Sequence, residues 1–213
     1  MWYRDWQLDP EALAQGVLRA SVALDVSPFV FTRAIRTGAD GGFIFDYTLC
    51  NTGASEEPFL WCLHPLLALV PGDRLELPPE VRRLRLNGGV GTRIAQGDLW
   101  AYPEPFPGVR LDRLEVPGMP GGCVKGFAGP LGTGRVALVN EHTQDRLELR
   151  WQPSEAPFLG IWINRGFGGF HHVGLEPASG APDSLADASE QWRPCRILGP
   201  GRSAHWSVTI GVA

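Results

Sequence analysis

The sequence predicts a mainly β protein that folds as one antiparallel β-sandwich domain over residues 1–213. Apolar and polar residues alternate with period two in several runs, the pattern of strands with one buried face. The 27 glycines and 19 prolines mark short turns between these runs. No run has the pattern of a crossover helix, which disfavours a parallel βαβ arrangement. A length of 213 residues suits a single sandwich.

The first predicted unit is a β-hairpin. Residues Ser21–Ile35 form one arm and Phe43–Cys50 the other, joined by a glycine-rich turn at residues 37–42. Further strands, of which the first two form a second hairpin, are predicted at Arg135–Glu141, Asp145–Gln152, Phe158–Asn164, Phe170–Glu176 and Ser203–Val212.

Helical patterns are sparse. Asp9 is a candidate N-cap and Pro10 suits the first helical position, so a turn or two of helix is expected to reach Ala14. A second short helix is predicted at Pro182–Ala188. The stretch Pro78–Pro120 is interpreted as long loops over one end of the sandwich, and such loops often bind ligands.

Charge and hydropathy disfavour several kinds of partner. The net charge of -4 leaves no basic footprint for nucleic acid or for an anionic lipid surface. No apolar run approaches the ~20 residues of a membrane span, and the first residues lack the segments of a signal peptide, so a cytoplasmic location is expected. Of the 19 basic residues only Lys125 is lysine, which is typical of a GC-rich genome.

Cofactor signatures are missing from the sequence. The four cysteines form no CxxC pair, so we expect free thiols and neither a disulfide nor a zinc site. His171 and His172 point to opposite faces of one strand and cannot both bind a metal without distortion. The glycine clusters at residues 129–134 and 166–169 are turns, because no Lys-Ser/Thr pair or strong helix follows them. We therefore expect no metal and no organic cofactor.

Two residues carry the strongest functional signal. His64 and Glu176 each end an apolar run, and each is followed by a proline. Each also has a structural alternative, His64 as a hydrogen-bonded structural histidine and Glu176 as a surface carboxylate before a turn. On its predicted strand Glu176 shares a face with His172 and Gly174, and a small residue beside a carboxylate leaves room for a ligand.

The segments around both residues resemble the aldose 1-epimerase (galactose mutarotase-like) family. Residues 47–53 and 58–65 are similar to its pattern Y-x-L-x-N-x-G followed by P-F-x-W-x-x-H-P. Residues 158–164, 174–177 and 198–206 are similar to its W-x-N, L-E-P and L-x-P-G-x-x-x-x-W. This resemblance, over residues 30–213, implies a shortened form of the family's supersandwich, a sugar substrate, and His64 and Glu176 as catalytic acid and base.

Exchange of sugar anomers needs such a pair. One group takes the proton of the C1 hydroxyl while the other protonates the ring oxygen, and the roles reverse after rotation about C1–C2. An ionised glutamate and an imidazolium are both reasonable near neutral pH, given reference pKa values of ~4.3 and ~6.5. The resemblance assigns the base to Glu176 and the acid to His64.

Four further residues are candidates for substrate binding. Trp162 and Asn164 share one side of their strand, where an indole can stack on a sugar while an amide binds a hydroxyl. An alternative of equal weight is that Trp162 lies in the core and Asn164 caps a turn. His172 shares the face of Glu176. Family members have a longer N-terminal part that supplies an arginine and a second histidine, and here Arg33 is a candidate for the missing arginine.

Three interpretations stay open at this stage. The chain is an epimerase of a free or modified aldose, a carbohydrate-binding or sensor protein without efficient turnover, or part of a longer protein. A shortened sandwich exposes strand edge that tends to pair with another chain. Trp2, Tyr3 and Trp6 add apolar surface near the first residue, so a homodimer is predicted.

Overall fold

The computed structural model describes residues 4–90, 95–114 and 122–212. Within them the chain forms sixteen strands, numbered in chain order, in three antiparallel sheets. The largest sheet has the spatial order β1 (Gln7–Leu8), β2 (Leu18–Ala23), β3 (Phe29–Thr37), β4 (Phe43–Asn51), β16 (Ser203–Val212), β12 (Arg146–Trp151), β11 (Arg135–Asn140) and β7 (Asp73–Glu76). The second has the order β6 (Leu66–Ala68), β14 (His171–Ala178), β13 (Phe158–Arg165), β10 (Gly122–Ala128), β8 (Arg83–Val90) and β9 (Leu99–Ala101). The short strands β5 (Glu57–Phe59) and β15 (Arg196–Leu198) pair with each other.

The two large sheets share one hydrophobic core. Phe31, Leu49 and Leu149 contribute to it from the eight-stranded sheet, and Ile161 and Leu175 from the six-stranded sheet. Each such side chain contributes roughly 1.5–3 kcal/mol when it is fully buried. On β13 and β14 the odd-numbered residues face this core, so the even-numbered residues face the opposite side of the sheet, here called the outer face. The predicted antiparallel β-sandwich is confirmed.

Several predicted elements are confirmed. Strand β16 has the predicted bounds, β3 and β4 form the first hairpin, and β11 and β12 form the second. Helix α1 (Pro10–Ala14) begins after Asp9, whose carboxylate accepts hydrogen bonds from the backbone N–H groups of Glu11 and Ala12 at 3.1 and 3.0 Å. The expected N-cap therefore supplies acceptors that the first helical turn cannot supply itself.

Two predictions of strand layout are wrong. The run Ser21–Ile35 is not one arm, because the chain turns at residues 25–28 and its halves, β2 and β3, pair with each other. The stretch Pro78–Pro120 is not only loops, because β8 and β9 extend the six-stranded sheet. Alternation is present in β8, where Leu84 and Leu86 enter the core on either side of Arg85. Residues 91–94 and 115–120 of this stretch lie outside the described residues.

The remaining expectations concern helices, aromatics and thiols. The second helix, α2 (Leu185–Asp187), is shorter than predicted and continues as a π-helical turn at Ala188–Trp192. Trp6 packs edge-on against Phe31 of its own chain at 5.9 Å, while Trp2 and Tyr3 lie outside the described residues. All four cysteines are free. Among the described helices, none is long and apolar enough to cross a membrane.

Candidate active site

His64 and Glu176 meet because the chain before β6 runs antiparallel beside β14. Cys62 pairs with Ala178, and Leu66 pairs with Gly174. His64 lies midway between Cys62 and Leu66, and Glu176 lies midway between Ala178 and Gly174. This register therefore places His64 and Glu176 opposite each other. The prolines that follow them donate no backbone hydrogen bond, so the ladder is interrupted at this point. The two side chains therefore project from neighbouring segments, the chain before β6 and strand β14.

The pair combines a buried carboxylate with an exposed imidazole. His64 Nε2 lies 3.3 Å from Glu176 Oε1, and the exposed fractions of the two side chains are 38% and 0%. Oε1 makes no aligned hydrogen bond with the described residues. The carboxylate therefore has one oxygen free to accept a proton, beside an imidazole that a solute can reach.

The other carboxylate oxygen is held by two donors. Lys125 Nζ lies 2.6 Å from Glu176 Oε2, and the Cys62 thiol donates to the same oxygen at 3.3 Å. Lys125 also lies 2.8 Å from Asp183 Oδ1, and Asn87 donates to Asp183 Oδ2 at 2.8 Å. Burial opposes the charge on Lys125, but the Glu176 and Asp183 carboxylates outweigh it and raise the pKa of Lys125. Burial and the Glu176 charge raise the pKa of the Cys62 thiol, which stays protonated as a donor.

Trp162 forms an aromatic wall beside the pair. Its indole meets the His64 ring edge-on at 5.4 Å and the His172 ring edge-on at 4.8 Å. His172 Nε2 is buried and makes no hydrogen bond with the described residues. Burial, followed by repulsion from His64, lowers the pKa of His172. Near neutral pH His172 is therefore a neutral imidazole.

Asn164 and Arg33 are placed differently. The Asn164 side chain accepts from the Phe167 backbone N–H at 2.9 Å and donates to the Phe167 carbonyl at 3.2 Å, so its amide caps the turn after β13. Arg33 belongs to the eight-stranded sheet, where its guanidinium lies over the Trp6 ring at 5.3 Å. The fold thus brings His64, Glu176, Trp162 and His172 together on the outer face, but not Arg33.

Two glycines shape the space around Glu176. A Cβ at Gly174 would lie 2.7 Å from Glu176 Oε1, and one at Gly160 would lie 3.0 Å from Oε2. Both glycines are neighbours of Glu176, Gly174 along β14 and Gly160 across the pair β13–β14. The room that the sequence suggested for a ligand beside Gly174 is occupied by the Glu176 carboxylate itself.

Sequence reasoning missed Lys125, Asp183 and Cys62. Strand β10 was not predicted, so nothing assigned Lys125 to a face of the sheet. One signal was available, since Lys125 is the only lysine among 19 basic residues. In the described part of the chain, no group of three His, Cys, Asp or Glu side chains is arranged to hold a metal ion.

The arrangement of these side chains has the groups that proton transfer requires. A carboxylate with one free oxygen, an adjacent imidazole and an indole wall can bind a hydroxylated ring and exchange protons with it. A positioned acid or base of this kind typically contributes about 10²–10⁴-fold to a rate.

Comparison with solved structures identifies the fold. A provisionally assigned aldose 1-epimerase from Escherichia coli K12 has a TM-score of 0.71 at 19% identity, over 100% of this chain and 69% of that one. A galactose mutarotase-like protein from Lactobacillus casei ATCC 334 has a TM-score of 0.66 at 20% identity, over 98% and 73%. A protein from Synechocystis sp. PCC 6803 has a TM-score of 0.69 at 16% identity, over 98% and 65%.

These likenesses show that the chain has the galactose mutarotase-like fold. The chain spans about two thirds of the length of these relatives, 65% to 73%. Neither a protein-family model nor a curated protein matches it.

Proposed function

We propose that the protein is a carbohydrate-active isomerase of the aldose 1-epimerase type, which interconverts the anomers of an aldose. The carrying observation is the 3.3 Å approach of His64 Nε2 to Glu176 Oε1 beside the Trp162 indole. The C1 hydroxyl and the ring oxygen of a sugar are bonded to the same carbon. A base and an acid that act on both oxygens at once must therefore be adjacent, as these two groups are.

The reaction proceeds by acid/base ring opening. Glu176 Oε1 removes the proton of the C1 hydroxyl, and the His64 imidazolium delivers a proton to the ring oxygen. The bond between C1 and the ring oxygen breaks, which leaves an open-chain aldehyde, a neutral imidazole and a protonated carboxyl. After rotation about C1–C2 the aldehyde closes from its other face while the two protons return. Atoms and charge balance without a co-reactant, so no cofactor or metal takes part in this proposal.

Substrate recognition is assigned to the residues around the pair. Trp162 offers an apolar surface for the C–H face of the sugar, and His172 offers an unpaired buried nitrogen for a hydroxyl. The Asn164 amide is engaged in its turn, so any contact with the sugar uses only its remaining hydrogen-bonding capacity.

Exchange between anomers, followed by NMR over a panel of aldoses with and without a chelator, tests this proposal. Glu176→Gln and His64→Asn each remove a proton-transfer group at nearly constant shape, and each is expected to lower turnover about 10²–10⁴-fold while the protein stays folded. Glu56→Gln, at an exposed loop position, and His205→Asn, on the eight-stranded sheet, are matched controls. Near-full exchange in either site variant would make that residue structural.

A non-catalytic carbohydrate-binding protein is the second candidate. The observation that favours it is the position of Arg33 on the other sheet, which leaves the family's N-terminal arginine without a replacement from that residue. Saturable sugar binding without acceleration of anomer exchange across the panel would establish this second function instead.

A further inference from the structure

The two oxygens of the Glu176 carboxylate have unequal surroundings. Oε2 receives both the Lys125 ammonium at 2.6 Å and the Cys62 thiol at 3.3 Å, while Oε1 has the His64 imidazole at 3.3 Å. The side chain is fully buried, so water does not compensate its charge. Lys125 and Cys62 at Oε2 therefore take the place of water around this carboxylate.

Lys125 is itself fixed on several sides. It lies on β10 between Gly88 of β8 and Trp162 of β13. The pairing of β10 with β8 shifts its register between Lys125 and Gly126. Its side chain is only 12% exposed. Asp183, which follows β14 and is 44% exposed, supplies a second carboxylate at 2.8 Å, and Asn87 in turn holds Asp183. The ammonium is thus shared between one buried and one exposed carboxylate.

We propose that Lys125 is a positioning residue that holds Glu176 ionised and oriented, so that Oε1 is the reacting oxygen, and that Asp183 moderates this effect. The inference rests on the proposed function for the reaction itself, whereas the coupling between Lys125 and Glu176 can be measured without turnover. The groups that face Glu176 are His64 and Cys62 from the segment before β6 and Lys125 from β10, and Asp183 acts through Lys125.

The arrangement predicts effects of opposite sign for two substitutions. Lys125→Met removes the positive charge beside Oε2, so the acid limb of the pH–rate profile moves to higher pH. Loss of orientation also lowers kcat by about 10- to 100-fold, with a smaller effect on KM. Asp183→Asn removes a competing negative charge, so the same limb moves to lower pH. If Lys125 had only a structural role, the two substitutions would not shift the acid limb in opposite directions.

The experiment combines the pH dependence of anomer exchange with a titration that needs no activity. Glutamate is labelled with ¹³C at the side-chain carboxyl, and the Glu176 signal is assigned by its loss in Glu176→Gln. The midpoint of that signal is expected to rise in Lys125→Met and to fall in Asp183→Asn. Arg36→Met, which breaks the exposed Arg36–Asp46 pair on the eight-stranded sheet, is the control and leaves the midpoint unchanged.

Each outcome decides one of the two proposals. An unmoved midpoint in folded Lys125→Met and Asp183→Asn overturns the role of Lys125, even if the wild-type protein is an epimerase. A wild-type protein without turnover whose Glu176 midpoint still moves in opposite directions supports the coupling and rejects the proposed reaction. If Lys125→Met does not fold, Asp183→Asn alone carries the test, and a fall in its midpoint supports the role.

Discussion

Replacing Gly174 by alanine displaces the proposed base without touching its chemistry. The new methyl group would lie 2.7 Å from Glu176 Oε1, whereas ordinary van der Waals contact begins at 3.4 Å, so the oxygen must move by about 0.7 Å. The atom that moves is the end of a flexible side chain, so the fold tolerates the change. Catalysis does not, because a misplacement of about 1 Å costs on the order of 10²-fold in rate.

The expected result is a 10- to 100-fold fall in kcat for anomer exchange, with a thermal midpoint near that of the wild-type protein. NMR exchange spectroscopy measures the rate, and circular dichroism measures the midpoint. Gly88→Ala is the matched control, because a Cβ there meets nothing within 4 Å and both turnover and stability should be kept. Full turnover in a folded Gly174→Ala variant would refute the assignment of Oε1 as the reacting oxygen.

The remaining predictions concern stability and assembly. The lowered pKa of His172 means that the unfolded chain binds a proton more readily than the folded one below about pH 6.5, so stability present above that pH is lost on acidification. Urea unfolding at about pH 7.5 and about pH 5 should show that the free energy of unfolding falls less on acidification in His172→Gln than in the wild type. An equal fall in the two proteins would contradict this. The predicted homodimer is checked by light scattering at micromolar concentration, where a monomer would reject it; Trp6, packed on Phe31, already has a partner in its own chain.

The candidate site depends on a register between two distant segments. Cys62, His64 and Leu66 run beside Ala178, Glu176 and Gly174, so residues more than a hundred positions apart become cross-strand neighbours. A shift of this register by one residue would send either His64 or Glu176 to the other face of its strand. The prolines at positions 65 and 177 follow His64 and Glu176 and donate no backbone hydrogen bond at this point of the ladder.

The sequence by itself determined the β class and the first cap, and it indicated the two main residues of the candidate site. Period-two alternation is a local signal, so β16 and both hairpins could be predicted, and Asp9 before Pro10 defined the start of α1. The motifs around His64 and Glu176 identified the pair as candidates for acid/base chemistry. These features depend on neighbouring residues, which a linear sequence contains.

Only the tertiary structure decided how Glu176 is held. Lys125 and Cys62 reach Glu176 from two separate segments, Asp183 contacts Lys125 from a third, and no local pattern records that these side chains converge. The same holds for Asn164, whose amide caps a turn, and for Arg33, which is on the other sheet because its strand pairs with β2 and β4. Spacing along the chain fixes which face of a strand a residue occupies, whereas strand order and register fix which residues share that face. That order arises from burial of the common core, a property of the whole chain.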